Sequence, residues 1–340
     1  MEQKENILVT TWKKKIEDLT FEKIIIELKD ERNIIELARS EGRAYDLYKM
    51  LLRHDYMFYM HANRKSYFIK RKKLHTIWER NDLQHYKGVF YSQESIYENH
   101  LEPKRLLVIF SSMPVESAYF SPNIGIRCFH ISDAPAADKL LKNTCVMRIM
   151  DANLSHGSCY LNTNNYPLYE DEIQQAIQKV MRENGILKED VVLYGETKGG
   201  TGALYHGFLG DFKVVAVSPV VSLVSWHHLK NDLYYTKDFL SSKLTKKISK
   251  VRSPQKFKKI ILSSPIAYSD FLTLQNLNKD HVEMHSIFDT NIKDETDIFK
   301  NSLIEQITYI NQLFLQSNTL SKMKLELEEL MKQEFYNRFG

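Results

Sequence analysis

The chain has 340 residues, of which 43% are hydrophobic, and its 12 glycines and 8 prolines exclude a linker-rich or disordered protein. The formal net charge of +4 is too small to indicate nucleic-acid binding, but it suits an anionic substrate or an acidic membrane surface. The polar N-terminus has no apolar leader, and no apolar run is long enough to span a bilayer. We therefore predict a cytoplasmic protein that is at most peripheral at the inner membrane.

The three cysteines, Cys128, Cys145 and Cys159, lack the spacing of a metal site. We interpret them as buried, reduced thiols that belong to the core. The sequence contains no motif that indicates a bound cofactor or metal ion, so neither is expected.

Residues 1–100 predict a small α+β N-terminal module. Apolar residues spaced among charges over 21–38 indicate one helix, and those over 44–52 indicate a second. Aromatic runs at 56–60 and 66–69 flank a short polar turn, which is typical of a β-hairpin. We interpret the aromatic residues of this module as core rather than as a platform for a ligand.

Residues 101–318 alternate apolar strands with helices, which predicts a doubly wound, mostly parallel α/β sheet. The polar segment 223–257 is interpreted as a helical cap insertion, and 319–340 as a C-terminal amphipathic helix that docks on the protein body. The strands of the sheet are predicted at 106–110, 126–131, 145–150, 191–194, 214–217, 259–262 and 282–288.

The most informative motif is Tyr-Gly-Glu-Thr-Lys-Gly-Gly-Thr-Gly at residues 194–202. It follows an apolar strand and precedes a helical pattern, which is the setting of a nucleophile elbow. The motif therefore favours an α/β-hydrolase-like domain, with Thr197 at the nucleophile position between Gly195 and Gly199. A β-branched residue resists the positive φ of such a turn, so an elbow without a nucleophile is a serious alternative.

Two backbone amides are candidates for an oxyanion hole. Lys198 supplies the amide after the nucleophile position, where one donor is usual. The second donor should follow the strand at 106–110, which makes Ser112 or Met113 the candidate. Pro114 has no N–H and is excluded.

The acid and the base of a catalytic triad are harder to assign. Asp270, after the strand at 259–262, is a reasonable acid, but the loop at 289–294 where the base is expected contains no histidine. Three histidines remain as candidate bases, and each also has a structural interpretation. They are His285 within the last strand, His156 in the loop after 145–150, and His228 in the insertion.

Four segments resemble the XcbB/CpsF family of bacterial capsular polysaccharide biosynthesis proteins. They are 65–70, 97–100, 110–114 and 194–200, and the resemblance spans about 55–315. It implies a role in capsule synthesis and an α/β-hydrolase-like protein, with a sugar or polysaccharide substrate and a capsule synthesis complex as partners. Thr197 departs from the family pattern, in which serine is usual at this position.

These observations predict a capsular polysaccharide biosynthesis protein, with acyl transfer or ester hydrolysis on a sugar or polymer as its reaction if it is an enzyme. The alternative is a non-catalytic scaffold or glycan-binding component of a capsule synthesis complex. A nucleotide-sugar transferase is less favoured, because no convincing acidic pair for a metal ion is present.

Overall fold

A computed structural model describes the chain at residues 6–78, 80–95, 102–129, 139–221, 232, 234–239, 244–251, 254–277, 281–293 and 295–339. His228 and the motif at 97–100 lie outside these ranges. In the described ranges, no helix combines the length and apolarity needed to cross a membrane. The three cysteines are buried, as predicted, and none of them forms a disulfide bond among the described residues.

A four-stranded sheet and two helices form the N-terminal part of the described chain. The sheet has the order β1-β2-β4-β3, in which β1 and β2 are parallel and the other pairs are antiparallel. The elements are β1 (Ile7–Thr11), β2 (Lys23–Glu27), α1 (Ile34–Ser40), α2 (Gly42–Arg53), β3 (Tyr56–Ala62) and β4 (Lys65–Lys70).

The hairpin predicted around 56–69 is confirmed by the pairing of β3 with β4. The single helix predicted over 21–38 is wrong, because its first part forms strand β2 with alternate burial of Ile24 and Ile26. The helix begins only after Asn33, whose side chain accepts hydrogen bonds from the amides of Ile35 and Glu36. The cap at Asn33 therefore sets the start of α1, although the apolar pattern that predicts a helix begins before it.

An eight-stranded sheet forms the centre of the described structure, in the order β12-β11-β10-β9-β7-β8-β6-β5. Neighbouring strands from β12 to β8 are parallel, whereas β6 is antiparallel to both β8 and β5. This confirms the predicted α/β class and mostly parallel sheet. The strands are β5 (Leu83–Tyr86), β6 (Val89–Ser95), β7 (Arg105–Phe110), β8 (Thr144–Met150), β9 (Val191–Glu196), β10 (Lys213–Val217), β11 (Lys259–Ser263) and β12 (Val282–Ser286).

Helices pack on both faces of this sheet. Residues of α4 and α5 join one buried apolar cluster, and residues of α9 join the cluster on the opposite face. The helices are α3 (Ile124–Cys128), α4 (Tyr169–Asn184), α5 (Lys198–Gly210), α6 (Leu244–Ser249), α7 (Tyr268–Gln275), α8 (Glu295–Asn301), α9 (Leu303–Leu315) and α10 (Asn318–Phe339).

The strand predicted at 126–131 is wrong, because residues 124–128 form the short helix α3. Asn123 caps this helix by accepting a hydrogen bond of 2.8 Å from the amide of Gly125. Apolar runs of this length do not distinguish a strand from a buried helical turn.

Helix α10 is present, but its described apolar side chains are not docked on the protein body. Leu325, Leu330, Met331 and Phe335 are between 58% and 63% exposed. The interpretation that this helix packs on the rest of the chain is therefore wrong for these residues.

The described parts of the segment 223–257 pack against two different cores. Leu244 and Ile248 of α6 join the buried cluster that contains α4 and α5. Tyr235 and Phe239 instead join the core of the N-terminal module, where the Tyr235 hydroxyl donates to the carbonyl of Ile35 at 3.0 Å. This segment thus connects the two sheets.

Candidate active site

A strained turn joins strand β9 to helix α5. Thr197 has φ +46° and ψ −114°, which is an unusual backbone conformation for a β-branched residue. Its amide donates to the carbonyl of Val217 at 2.9 Å, and its carbonyl accepts from the amide of Thr201 at 3.0 Å. A strained backbone conformation persists only where the surrounding structure holds it. These two hydrogen bonds fix the turn on both sides of Thr197.

Glycines allow the turn to pack tightly, as the sequence predicts. A Cβ atom on Gly195 would lie 2.3 Å from the backbone of Gly199. A Cβ atom on Gly199 would lie 2.1 Å from the carbonyl oxygen of Phe110, at the end of β7. Any larger side chain at these positions would push the helix away from the sheet.

Replacing Gly199 with alanine is expected to destabilise the protein by about 3 kcal/mol, because the new methyl group collides with backbone atoms that cannot rotate away. Gly42, the first residue of α2, is the matched control, since a Cβ atom there meets nothing within 4 Å. Gly42→Ala should be neutral or stabilising by up to about 1 kcal/mol. Urea unfolding of both variants measures the difference, and equal stabilities would contradict the steric role of Gly199.

The groups expected to react lie at this turn. The Thr197 hydroxyl oxygen is shielded from solvent and has no hydrogen-bond partner among the residues that the structure describes. Lys198 is the first residue of α5, so its amide has no acceptor within the helix. The segment that contains Ser112 and Met113 follows β7 directly, and the Phe110 carbonyl before it lies against the elbow helix.

His156 is buried in the loop after β8. Its Nε2 lies 2.7 Å from the carbonyl oxygen of Tyr119, which can only accept, so Nε2 carries the proton. Burial, together with the nearby Arg127 guanidinium, lowers the pKa of His156 to about 3 and keeps the ring neutral at pH 7. The other ring nitrogen, Nδ1, is buried and finds no partner within the described ranges. A neutral imidazole with an unprotonated, unpaired nitrogen results.

A buried ion pair supports the same loop. Lys198 Nζ donates to the carbonyl of His156 at 2.7 Å and lies 3.7 Å from Asp151 Oδ2, with both side chains 0% exposed. Burial raises the pKa of Asp151, and the Lys198 charge opposes that shift. The Asp151 carboxylate also accepts hydrogen bonds from the Tyr160 amide and the Tyr169 hydroxyl. Lys198 thus ties the elbow to the His156 loop through its side chain.

Sequence reasoning missed this pair, although a signal for it exists. Asp151 follows the end of β8, and Lys198 follows the end of β9 by two residues. Carboxyl ends of parallel strands meet at one edge of a sheet, so opposite charges at these two positions are candidates for contact.

Two other predicted residues make contacts elsewhere. Asp270, on α7, is buried and accepts a hydrogen bond of 3.0 Å from the Val221 amide. His285, within β12, has Nδ1 3.0 Å from the Tyr309 hydroxyl and Nε2 2.9 Å from Glu283 Oε1. Neither side chain contacts the Thr197 hydroxyl.

The described residues therefore bring Thr197, Lys198 and the His156 loop together, with the segment after β7 next to them. His285 contacts Tyr309 and Glu283 instead, and His228 lies outside the described residues. Within those residues, no group of three or more histidine, cysteine or acidic side chains could hold a metal ion. The arrangement offers a hydroxyl at a strained turn, backbone donors beside it and a neutral imidazole in the loop whose backbone Lys198 binds.

The sheet and this turn define an α/β protein with a threonine at an elbow-like turn. Its fold is similar to a variant of the capsule O-acetyltransferase of Neisseria meningitidis serogroup A in complex with CoA. That similarity has a TM-score of 0.49 and 15% identity, and covers 69% of this chain and 99% of that chain. No protein-family model and no curated protein matches the chain.

Two further solved structures show similarity at the same level. A glycosylation-associated protein complex from Streptococcus agalactiae has a TM-score of 0.45 and 16% identity, covering 69% of this chain and 46% of that chain. A fluorophosphonate-binding serine hydrolase of Staphylococcus aureus has a TM-score of 0.42 and 16% identity, covering 69% of this chain and 96% of that chain. With TM-scores below 0.5, these similarities do not define the activity of this chain.

Proposed function

We propose that this chain is an α/β-hydrolase-fold protein of capsular polysaccharide synthesis, of the XcbB/CpsF type that its sequence resembles. Strand order supports the fold. Counted along the chain from β5, the order across the sheet is 1-2-4-3-5-6-7-8 with the second strand antiparallel, which is the arrangement of α/β hydrolases. Its site of action is the cytoplasm or the inner surface of the membrane.

The proposed activity is acyl transfer to, or ester hydrolysis of, a sugar or polymer, and the conformation of Thr197 is the observation that carries it. A β-branched residue held at φ +46° is costly, and such strain is concentrated at functional sites. Without a role for its hydroxyl, glycine or a small unbranched residue would fit this turn at lower free energy.

The reaction follows from the groups at the turn. The Thr197 Oγ1 attacks the acyl carbonyl carbon, and its proton passes to the base as the new C–O bond forms. The carbonyl oxygen becomes an oxyanion that the amides of Lys198 and of Ser112 or Met113 stabilise. Collapse expels the first alcohol or thiol, which takes the proton. A sugar hydroxyl in a transferase, or water in an esterase, then attacks the acyl-threonine and gives its proton to the base. The bond between the acyl carbon and Thr197 Oγ1 breaks, Oγ1 takes that proton back, and the acylated sugar or the free acid leaves.

His156 is the base that we favour. Lys198, the neighbour of Thr197 in sequence, binds the His156 carbonyl and so joins this loop to the turn. Neither His156 Nδ1 nor the Thr197 hydroxyl has a partner among the described residues, so the two are not hydrogen-bonded to each other here, and proton transfer requires them to approach. The lowered pKa of His156 keeps the imidazole unprotonated and also weakens it as a base. Asp270, after the seventh strand of the sheet, is the acid that the sequence predicts, but its carboxylate accepts from the Val221 amide, and it is the Tyr119 carbonyl that accepts from His156 Nε2.

One observation favours the second candidate, a non-catalytic scaffold or glycan-binding component of a capsule synthesis complex. The Thr197 hydroxyl is shielded from solvent, so a substrate reaches it only if neighbouring groups move. A scaffold needs no such movement.

Covalent trapping separates the two candidates. We expect a fluorophosphonate probe, or acetate from p-nitrophenyl acetate, to add to the peptide that contains Thr197, as detected by mass spectrometry of digests. Thr197→Ala should remove that adduct. Thr201→Val, on the next turn of α5, removes a hydroxyl that already donates to Val220 and should leave the adduct in place. Absence of any adduct at Thr197 would favour the scaffold.

A further inference from the structure

A separate cavity lies between the N-terminal sheet and helix α3. Its volume is about 720 Å³, within the range of small-molecule sites. Strand β3, the residues Ile77, Trp78 and Arg80, and residues of the segment 122–129 line it, and no residue of the elbow at 194–202 does. It is therefore a second concave surface, distinct from the candidate active site.

Aromatic rings form part of this lining, and the Arg80 guanidinium lies over one of them, Phe129, at 5.2 Å from the ring centroid. Tyr59, Trp78 and Phe129 all contribute to the lining, and Trp78 is fixed from behind by stacking on Phe90, with ring centroids 6.1 Å apart and an interplanar angle of 19°. The Trp78 indole N–H is buried without a hydrogen-bond partner among the described residues. An unpaired buried donor is unfavourable, and an acceptor brought by a ligand would remove that cost once the atoms that cover this N–H move aside.

The charges of the lining distinguish between ligand classes. Arg80 donates to both carboxylate oxygens of Asp82, at 2.9 and 2.5 Å, so its charge is already compensated. Burial lowers the pKa of His61, which keeps this ring neutral at pH 7. A phosphorylated ligand would find no unpaired cation among the described lining residues. An alkyl chain would leave the buried His61 Nε2, which has no partner among the described residues, still without one.

We propose that this cavity binds an uncharged saccharide, whose apolar C–H face stacks on the aromatic rings while its hydroxyls bond to the polar groups at the margin. That the ligand is a saccharide rests in part on the proposed function, whereas the cavity and its lining do not depend on that function. The site would hold a segment of glycan away from Thr197, as a binding subsite rather than a reacting one.

The proposal is tested by NMR, through the indole N–H signals of the full-length ¹⁵N-labelled protein. The probes are maltotriose and N,N′,N″-triacetylchitotriose. We expect one of these trisaccharides to shift the Trp78 signal saturably and to leave the Trp12 signal unmoved. Trp78→Phe keeps a ring but loses the N–H, so affinity measured by calorimetry should fall roughly threefold to tenfold. Ile126→Arg should abolish binding, because this residue is 45% exposed at the cavity and its replacement leaves the core intact.

Two results would overturn the proposal. One is that neither trisaccharide moves the Trp78 signal while inorganic phosphate or decanoate does, or that nothing moves it. The other is that the shift persists in Ile126→Arg. Binding should be unchanged in Thr197→Ala, so a protein that binds the trisaccharide but forms no adduct at Thr197 refutes the catalytic proposal alone. A protein that forms the adduct but binds neither probe refutes the saccharide site alone.

Discussion

Replacing Thr197 with alanine should lower the rate of acyl transfer by at least about 10³-fold, because no other group at the turn can carry the acyl intermediate. The same substitution should leave the protein folded and at least as stable as before. It removes a buried hydroxyl that has no partner among the described residues, and it relieves a β-branched side chain held at positive φ. Lost activity without lost stability is the signature of a functional rather than a structural residue.

Two further substitutions at Thr197 separate the hydroxyl from the backbone strain. Thr197→Ser keeps the nucleophile and removes the β-branch, so its activity should equal or exceed that of the wild type. Thr197→Gly removes the strain altogether and should raise the free energy of unfolding by about 1–2 kcal/mol while abolishing activity. Transfer of acetyl groups from an activated ester to a capsule-type oligosaccharide, and urea unfolding, are the two measurements.

The outcome that refutes a nucleophilic Thr197 is full activity in Thr197→Ala. If the threonine variants differ in stability as stated but neither the wild type nor Thr197→Ser transfers an acyl group, the turn is a retained but inactive elbow. That result would favour the scaffold, since the glycine framework would then serve packing alone.

Most of the large sheet is predictable from the sequence, because its central strands are buried on both faces and read as continuous apolar runs. The runs at 106–110 and 214–217 are of this kind, the run at 145–150 is interrupted only by Arg148, and each of the three forms a strand. The short amphipathic strands β5 and β6 carry no such signal and were missed, although they complete one edge of the sheet. They lie in the range 1–100, which the sequence pattern assigned to the N-terminal module.

The candidate site is less predictable than the fold, because its key contacts join distant loops. The Gly-flanked turn is encoded locally, and its strained conformation at Thr197 follows from adjacent residues. The environment of His156 depends instead on Tyr119 and Arg127, which tertiary structure brings close. The sequence alone does not indicate that His156 Nε2 has a hydrogen-bond partner whereas Nδ1 has none among the described residues.

Lys198→Met is expected to destabilise the protein by about 3–5 kcal/mol near neutral pH, since it leaves the carboxylate of Asp151 buried without its cation. Burial already raises the pKa of Asp151 above its value in the unfolded chain. The stability that this group contributes is therefore full at low pH and is lost as the pH rises through the folded-state pKa. Removing Lys198 raises that pKa further, so the cost of the substitution should grow with rising pH, and the free energy of unfolding is compared at two pH values, about 5 and about 8.

The exposed pair Lys258–Glu283 provides the matched control, with side chains 43% and 42% exposed. Lys258→Met should cost less than about 1 kcal/mol, because water screens an exposed ion pair. The double substitution Lys198→Met with Asp151→Asn should recover at least half of the lost stability, since it removes both buried charges.

The measurement is urea unfolding of the wild type, the two single lysine variants and the double variant at both pH values. A cost for Lys198→Met that is no larger than for Lys258→Met, or that does not change with pH, would mean that Asp151 carries no buried charge. In that case the carbonyl of His156, and not the Asp151 carboxylate, would be the main partner of Lys198 at the elbow.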